Sequence, residues 1–200
     1  MSEPRIGRVL VASLHQAIAD LLPTRLEFYE NWLNVSGLRE GTIGLAPLSA
    51  VLSFLRSEGD AYDLITARAG EYAADWTVNN LAPLERRVIR SLPATLRLWA
   101  AMRTARALVR QTYPGSRAIV RIKRANAVVD LRGSLFCEVR EARALPLCGF
   151  YASAFARVLQ LFALRGSARV NECRAGGRGK GCQLSVVVVS GAAADEPAAA

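Results

Sequence analysis

The hydrophobic period of this chain changes once, and that change limits its fold more than any other feature. Up to Tyr113 apolar residues recur at three- and four-residue spacing, whereas from Ser116 onward they alternate. Ile6, Val9, Leu10, Leu14, Ala17, Ile18 and Leu21 form one helical stripe, stopped by Pro23. Leu26–Leu33 is a second helical stretch, followed by a turn region over 34–44, and Pro47–Arg56 is a third, ended by Glu58-Gly59. Asp60 stands as an N-cap for a helix reaching about Asn79, with Tyr62, Ile65, Ala69, Tyr72, Ala73 and Trp76 as its stripe. Leu84–Ser91 is short, and Pro93 opens a long helix ending near Tyr113.

Beyond Pro114-Gly115, Ala118, Val120 and Ile122 alternate with Arg117, Arg121 and Lys123, the mark of a half-buried strand. Further strands are expected at 126–131, 134–140, 168–174 and 183–190, with a helix over 145–164 closed by Gly166. Helices first and strands later predict an α+β fold, an antiparallel sheet packed against a helical layer. One domain over 1–190 is expected, with an alanine-rich disordered tail at 191–200.

No apolar run approaches the about 18 residues of a membrane span. The first apolar stretch is broken by Arg8, His15 and Asp20, unlike a signal peptide, so the expected compartment is the cytoplasm. The formal net charge is +9, and every basic residue but Lys123 and Lys180 is arginine. Such a charge suits nucleic acid or an acidic partner, for which Arg117, Arg121, Lys123 and Arg124 are the candidates. The arginines are scattered along the chain, however, and a solvated surface explains them as well.

All four cysteines, Cys137, Cys148, Cys173 and Cys182, lie in the last third. A reducing compartment disfavours disulfides, which leaves metal binding or simple burial. Cys173 and Cys182 bracket a loop with four glycines, able to bring their sulfurs together, and Cys148 opens a helix whose dipole would lower its pKa. Three thiolates and a carboxylate would satisfy tetrahedral zinc, while the eight-residue spacing is not that of a zinc knuckle. Small core cysteines are the other reading. His15, the only histidine, has no motif around it.

Pro146-Leu147-Cys148-Gly149-Phe150-Tyr151-Ala152-Ser153-Ala154-Phe155, followed by Glu172-Cys173 and Cys182, resembles the closing half of 4-vinyl reductase domains. Ala69-Gly70-Glu71-Tyr72-Ala73-Ala74-Asp75-Trp76 and Ile89-Arg90-Ser91-Leu92-Pro93 resemble the same family's middle helices, so the likeness runs over about residues 45–190. That family includes a bacteriochlorophyll-synthesis protein and the effector domains of phenol-responsive activators. The resemblance implies the fold of TRAPP vesicle-tethering subunits, often dimeric. It also implies zinc held by Cys148, Cys173 and Cys182 beside an aromatic-ligand pocket. The family's glutamate stands three residues before the first of the last two cysteines, where this chain has Val170; Glu172 or water would complete the set.

The candidate pocket lining is Tyr72, Trp76, Trp99, Phe136, Phe150, Tyr151 and Phe155, residues that more often serve plain core packing. Arg103, Arg106 and Arg110 form a stripe on the helix ending near Tyr113, which a solvated face explains; facing a cavity instead, it would favour a carboxylate-bearing ligand. The expected function is a small-molecule binding module, a sensor or accessory protein for a hydrophobic or aromatic ligand, working as a homodimer. A biosynthetic role in tetrapyrrole vinyl reduction is the alternative. It ranks lower because no GxGxxG follows a strand, and the 176–181 glycines join strands instead of opening a helix. Catalysis is thus not the first reading, and nucleic-acid binding ranks last.

Overall fold

The computed structural model describes residues 6–33, 44–139, 145–177 and 179–189. The helices are α1 (Arg8–Leu21), α2 (Leu26–Leu33), α3 (Leu45–Ser57), α4 (Ala61–Asn79), α5 (Pro83–Ser91), α6 (Ala94–Thr112) and, between strands, α7 (Gly149–Leu161). The strands are β1 (Arg117–Lys123), β2 (Asn126–Arg132), β3 (Gly166–Glu172) and β4 (Cys182–Val188). They form one antiparallel sheet in the order β1-β2-β4-β3. The architecture is α+β, a helical layer on one face of an antiparallel sheet. The expected tail and most of the 34–44 turn region lie outside the described residues.

Alternation sets which face is covered. Ala127, Val129 and Leu131 of β2 and Cys182, Leu184 and Val186 of β4 are buried towards the helices, while their neighbours face outward. Register places Cys182 opposite Leu131, so it stands at one end of the sheet on its covered face. α7 packs on β3 and β4 with its buried Phe150, Phe155, Val158 and Leu159, and α4 packs on its other side. That second contact is close because α4 turns Ala69, Gly70, Ala73 and Ala74 inward. Tyr72 and Trp76, expected on the same stripe, are only half-buried and stack on each other at 5.8 Å.

Three local expectations are corrected. No strand forms at 134–139: Leu135, Phe136 and Cys137 are all buried in a 3₁₀ turn, and three consecutive inward side chains cannot come from an alternating strand. Asp60 occupies the N-cap position of α4, but its side chain makes no capping bond. The helix expected to run to Leu164 ends at Leu161. There the Leu164 N–H donates to the Leu159 carbonyl and the Ala163 N–H to the Gln160 carbonyl, a Schellman closure. Arg90 and Arg97 also donate to the carbonyls of Leu161 and Ala163 at 3.0 Å, so two of the scattered arginines serve a helix C-terminus.

Ala163 takes the left-handed position of that closure with φ 57°, where a Cβ is disfavoured. Ala163→Gly is therefore expected to stabilise the fold by about 0.5–1 kcal/mol, the strain relieved exceeding the added chain entropy. Urea denaturation measures this; a destabilised variant would show that the closure tolerates its Cβ without strain.

Candidate metal centre and ligand hollow

Four separate segments meet at the end of the sheet where Cys182 lies. The chain leaves β2 through Gly133, whose φ of 67° and 2.2 Å approach of a would-be Cβ to the Gly115 carbonyl require glycine. The following 3₁₀ turn delivers Cys137. Cys148 is the N-cap residue of α7. A bulge between Val170 and Glu172 re-aims the end of β3 just before Cys173, and β4 opens with Cys182.

The four Sγ atoms lie within 4.8 Å of one another. Cys137 Sγ stands 2.8 Å from Cys148 Sγ and 3.3 Å from both Cys173 and Cys182, and Cys148 Sγ is 3.1 Å from Cys182 Sγ. Even carbon atoms in contact sit about 3.5–4.0 Å apart, and sulfur is larger. A disulfide would need about 2.05 Å. The sulfurs are thus too close for inert neighbours and too far apart for covalent pairs. Around one zinc at about 2.3 Å, tetrahedral thiolates stand about 3.8 Å from each other; here Cys173 and Cys182 are 3.9 Å apart, while the pairs involving Cys137 and the Cys148–Cys182 pair are closer, at 2.8 to 3.3 Å. The donor set fits zinc.

The backbone supports this arrangement. The Leu147 N–H donates to Cys173 Sγ and the Arg174 N–H to Cys182 Sγ, each at 3.4 Å, as expected around metal thiolates. Thiol hydrogen bonds from Cys137, Cys148 and Cys182, with the Leu147 N–H, hold the Cys173 pKa far below the usual thiol range. Bonds from Cys137 and Cys148 lower that of Cys182. Cys148 is pushed well above the ordinary value because it donates to the other sulfurs, Cys137 first, and is buried. A bond from Cys148 pulls Cys137 down, but its own donation to Cys173 and Cys182, with burial, outweighs this and raises it. The lowering expected for Cys148 from the α7 dipole is opposed by this donation and burial. A divalent cation would reverse these rises by displacing both protons.

Of the expected ligands, Cys148, Cys173 and Cys182 are brought together, whereas Glu172 is exposed at the bulge opposite Gln183, outside the cluster. The fourth group is Cys137, which the expected ligand set lacked. Its signal was the simple count of four cysteines in one third of the chain, a full tetrahedral complement. No protein-family model matches the chain, and no curated protein matches it by sequence. A mutant of the ferrous, unliganded H-NOX protein from K. algicida superposes with a TM-score of 0.60 at 11% identity, covering 93% of this chain and 98% of that one. The chain shares that fold. The phenol-responsive sensory domain of the activator PoxR, solved with phenol, matches at TM-score 0.49 and 15% identity, covering 73% of this chain and 75% of that one. A trafficking protein particle complex subunit 3 from Naegleria fowleri, covalently bound to palmitic acid, matches at 0.49 and 11%, covering 82% and 93%.

A hollow of about 270 Å³ adjoins the cysteines, lined by Arg56, Gly59, Asp60, Tyr62, Asp63, Leu145 and Leu147. Leu147 belongs to both sites: its N–H binds Cys173 Sγ, and its carbonyl accepts from the Tyr62 hydroxyl at 3.0 Å. Burial pushes the Tyr62 pKa up, so this hydroxyl keeps the proton it donates. Arg56 reaches the neighbouring turn, donating to the Phe136 carbonyl at 3.1 Å.

The seven expected pocket residues do not form one pocket. Phe136, Phe150, Tyr151 and Phe155 are fully buried, and Phe136 packs on Phe150 and Tyr151 at 4.9 and 5.6 Å. Tyr72 and Trp76 lie on the outer side of α4 beside Arg68, and Trp99 lines a different groove. His15 lies on α1 with Nε2 2.7 Å from Glu30 Oε1. Among the described residues no helix is long and apolar enough to cross a membrane.

Proposed function

We propose that this chain is a small-molecule sensor module in which zinc, held by Cys137, Cys148, Cys173 and Cys182, fixes the end of the shell where the ligand sits. The observation that carries this reading is the convergence of four sulfurs from four segments of the chain. Sulfur at all four positions leaves no place for a reactive water, so the ion is structural. The hollow offers the Tyr62 ring and the Leu145 and Leu147 side chains to a hydrophobic or aromatic body, and Arg56, Asp60 and Asp63 for orientation. A ligand pressing on Leu147 acts on the residue whose two backbone groups hold Cys173 and Tyr62, which gives occupancy a route into the centre.

The fold and the resemblance to 4-vinyl reductase domains both agree with ligand sensing. The ferrous chemistry of H-NOX proteins does not transfer: the only histidine is committed to Glu30, and the four cysteines face each other. Elemental analysis and native mass spectrometry of protein taken from its producing cells are the test. About one zinc per chain is expected, with a retained small molecule that is lost on Leu145→Trp, which fills the hollow from an exposed position. Stable protein free of metal and adduct would overturn the reading, and a coloured, iron-loaded chain would replace zinc with iron.

A further inference from the structure

A second groove, remote in sequence from the cysteines, runs between α6 and β1. Trp99, Met102, Arg103, Arg106 and Arg110 line it on the helix side and Val120 and Ile122 on the strand side, enclosing about 330 Å³. Its two halves differ chemically. At one end Trp99 is 57% exposed, with the Arg103 guanidinium 5.8 Å from its ring, and Ile122 opposite is 39% exposed. At the other end stand Arg106 and Arg110, one helical turn or about 6 Å apart. Some arginines are committed elsewhere: Arg90 and Arg97 cap α7, Arg56 holds the Phe136 carbonyl, and Arg157 pairs with Asp75 at 2.9 Å. Among the described residues the Arg106 and Arg110 side chains make no hydrogen bond, ion pair or ring contact. No carboxylate lines the groove.

Like charges on one helix face repel, and an exposed indole is poorly placed in water, so this arrangement has an unmet need for a partner. One molecule meets both needs: a flat apolar body lying on Trp99 against Val120 and Ile122, joined to an anionic head between Arg106 and Arg110. We infer that the α6–β1 groove is a binding site for a small aromatic anion bearing a carboxylate or phosphate, separate from the hollow beside the cysteines.

Calorimetric titration of the purified chain with 1-naphthoate and with 1-naphthalenemethanol, its neutral counterpart, tests this at low salt. Naphthoate is expected to bind at least tenfold tighter than the alcohol. Arg106→Ala/Arg110→Ala should remove that advantage without weakening the alcohol, and Trp99→Ala should weaken both. All three positions are exposed, so folding should be retained. A parallel titration with 1-naphthyl phosphate tells the two head groups apart; either anion bound by the native chain and lost in the double variant supports the site. Equal affinity for anion and alcohol, native-like anion binding by the double variant, or no anion binding at millimolar concentration overturns it. Zinc is measured on the same samples, and Leu145→Trp is titrated alongside. Failure of the cysteine site and failure of the groove are thereby separate results.

Discussion

Cys137→Ser is expected to release the proposed zinc and to cost the fold about 4 kcal/mol or more, the class of loss that accompanies removal of a metal. For a chain of this size that is about 10 °C in Tm. Cys137 Sγ is the sulfur nearest the middle of the set, at 2.8, 3.3 and 3.3 Å from its three neighbours. Serine offers a poorer zinc donor on a shorter bond, and the remaining thiolates would crowd one another without a cation between them. Glu172→Gln, at an exposed bulge outside the cluster, is expected to keep one zinc per chain and to change stability by no more than about 0.5 kcal/mol. Elemental analysis with thermal melts of both variants decides the matter. A metal-loaded Cys137→Ser beside a metal-free Glu172→Gln would restore the carboxylate to the ligand set and remove Cys137 from it.

That contrast also shows where sequence reading reaches its limit. Helices before strands were legible because each element carries a period long enough to be unmistakable: α1 repeats its stripe over four turns, and β1 and β2 alternate over seven residues. The site was legible only in part. Three of its sulfurs lie at element ends carrying motif, glycine or helix-start signals, whereas Cys137 sits in a three-residue 3₁₀ turn with no period of its own. The resemblance that supplied the expected ligands gave no role to Cys137; the turn aims it at the others because Leu135, Phe136 and Cys137 all point inward. The aromatic pocket list failed for a different reason. Aromatic composition does not say whether rings line a cavity or fill one, and Phe136, Phe150, Tyr151 and Phe155 fill the space between helices and sheet. Trp99 and its arginine stripe were visible at helical spacing, but the groove exists only because β1 lies alongside α6.

Gly70→Ala is expected to destabilise the chain by about 3 kcal/mol and to weaken zinc retention, although Gly70 belongs to neither site. In an isolated helix this change favours folding by about 1 kcal/mol, so the predicted sign runs against propensity. Packing decides it. A Cβ at Gly70 would stand 2.1 Å from the Phe150 carbonyl oxygen and 3.1 Å from the Ala154 nitrogen. Both are backbone atoms of α7, which cannot rotate aside as a side chain would. α7 must then move away from α4, losing contact along Ala73, Ala74 and Ala154, a cost characteristic of overpacked cores. The Arg157–Asp75 ion pair joining the same two helices is partly exposed and too weak to resist the separation. Because Cys148 is the N-cap of α7, two residues before Phe150, displacement at Phe150 carries Cys148 away from the other three sulfurs. Zinc should therefore exchange faster to a chelator in Gly70→Ala than in Ala163→Gly, which alters the opposite end of α7. Equal stability and equal chelator kinetics in Gly70→Ala and the native chain would mean that the α4–α7 contact does not position the cysteine centre.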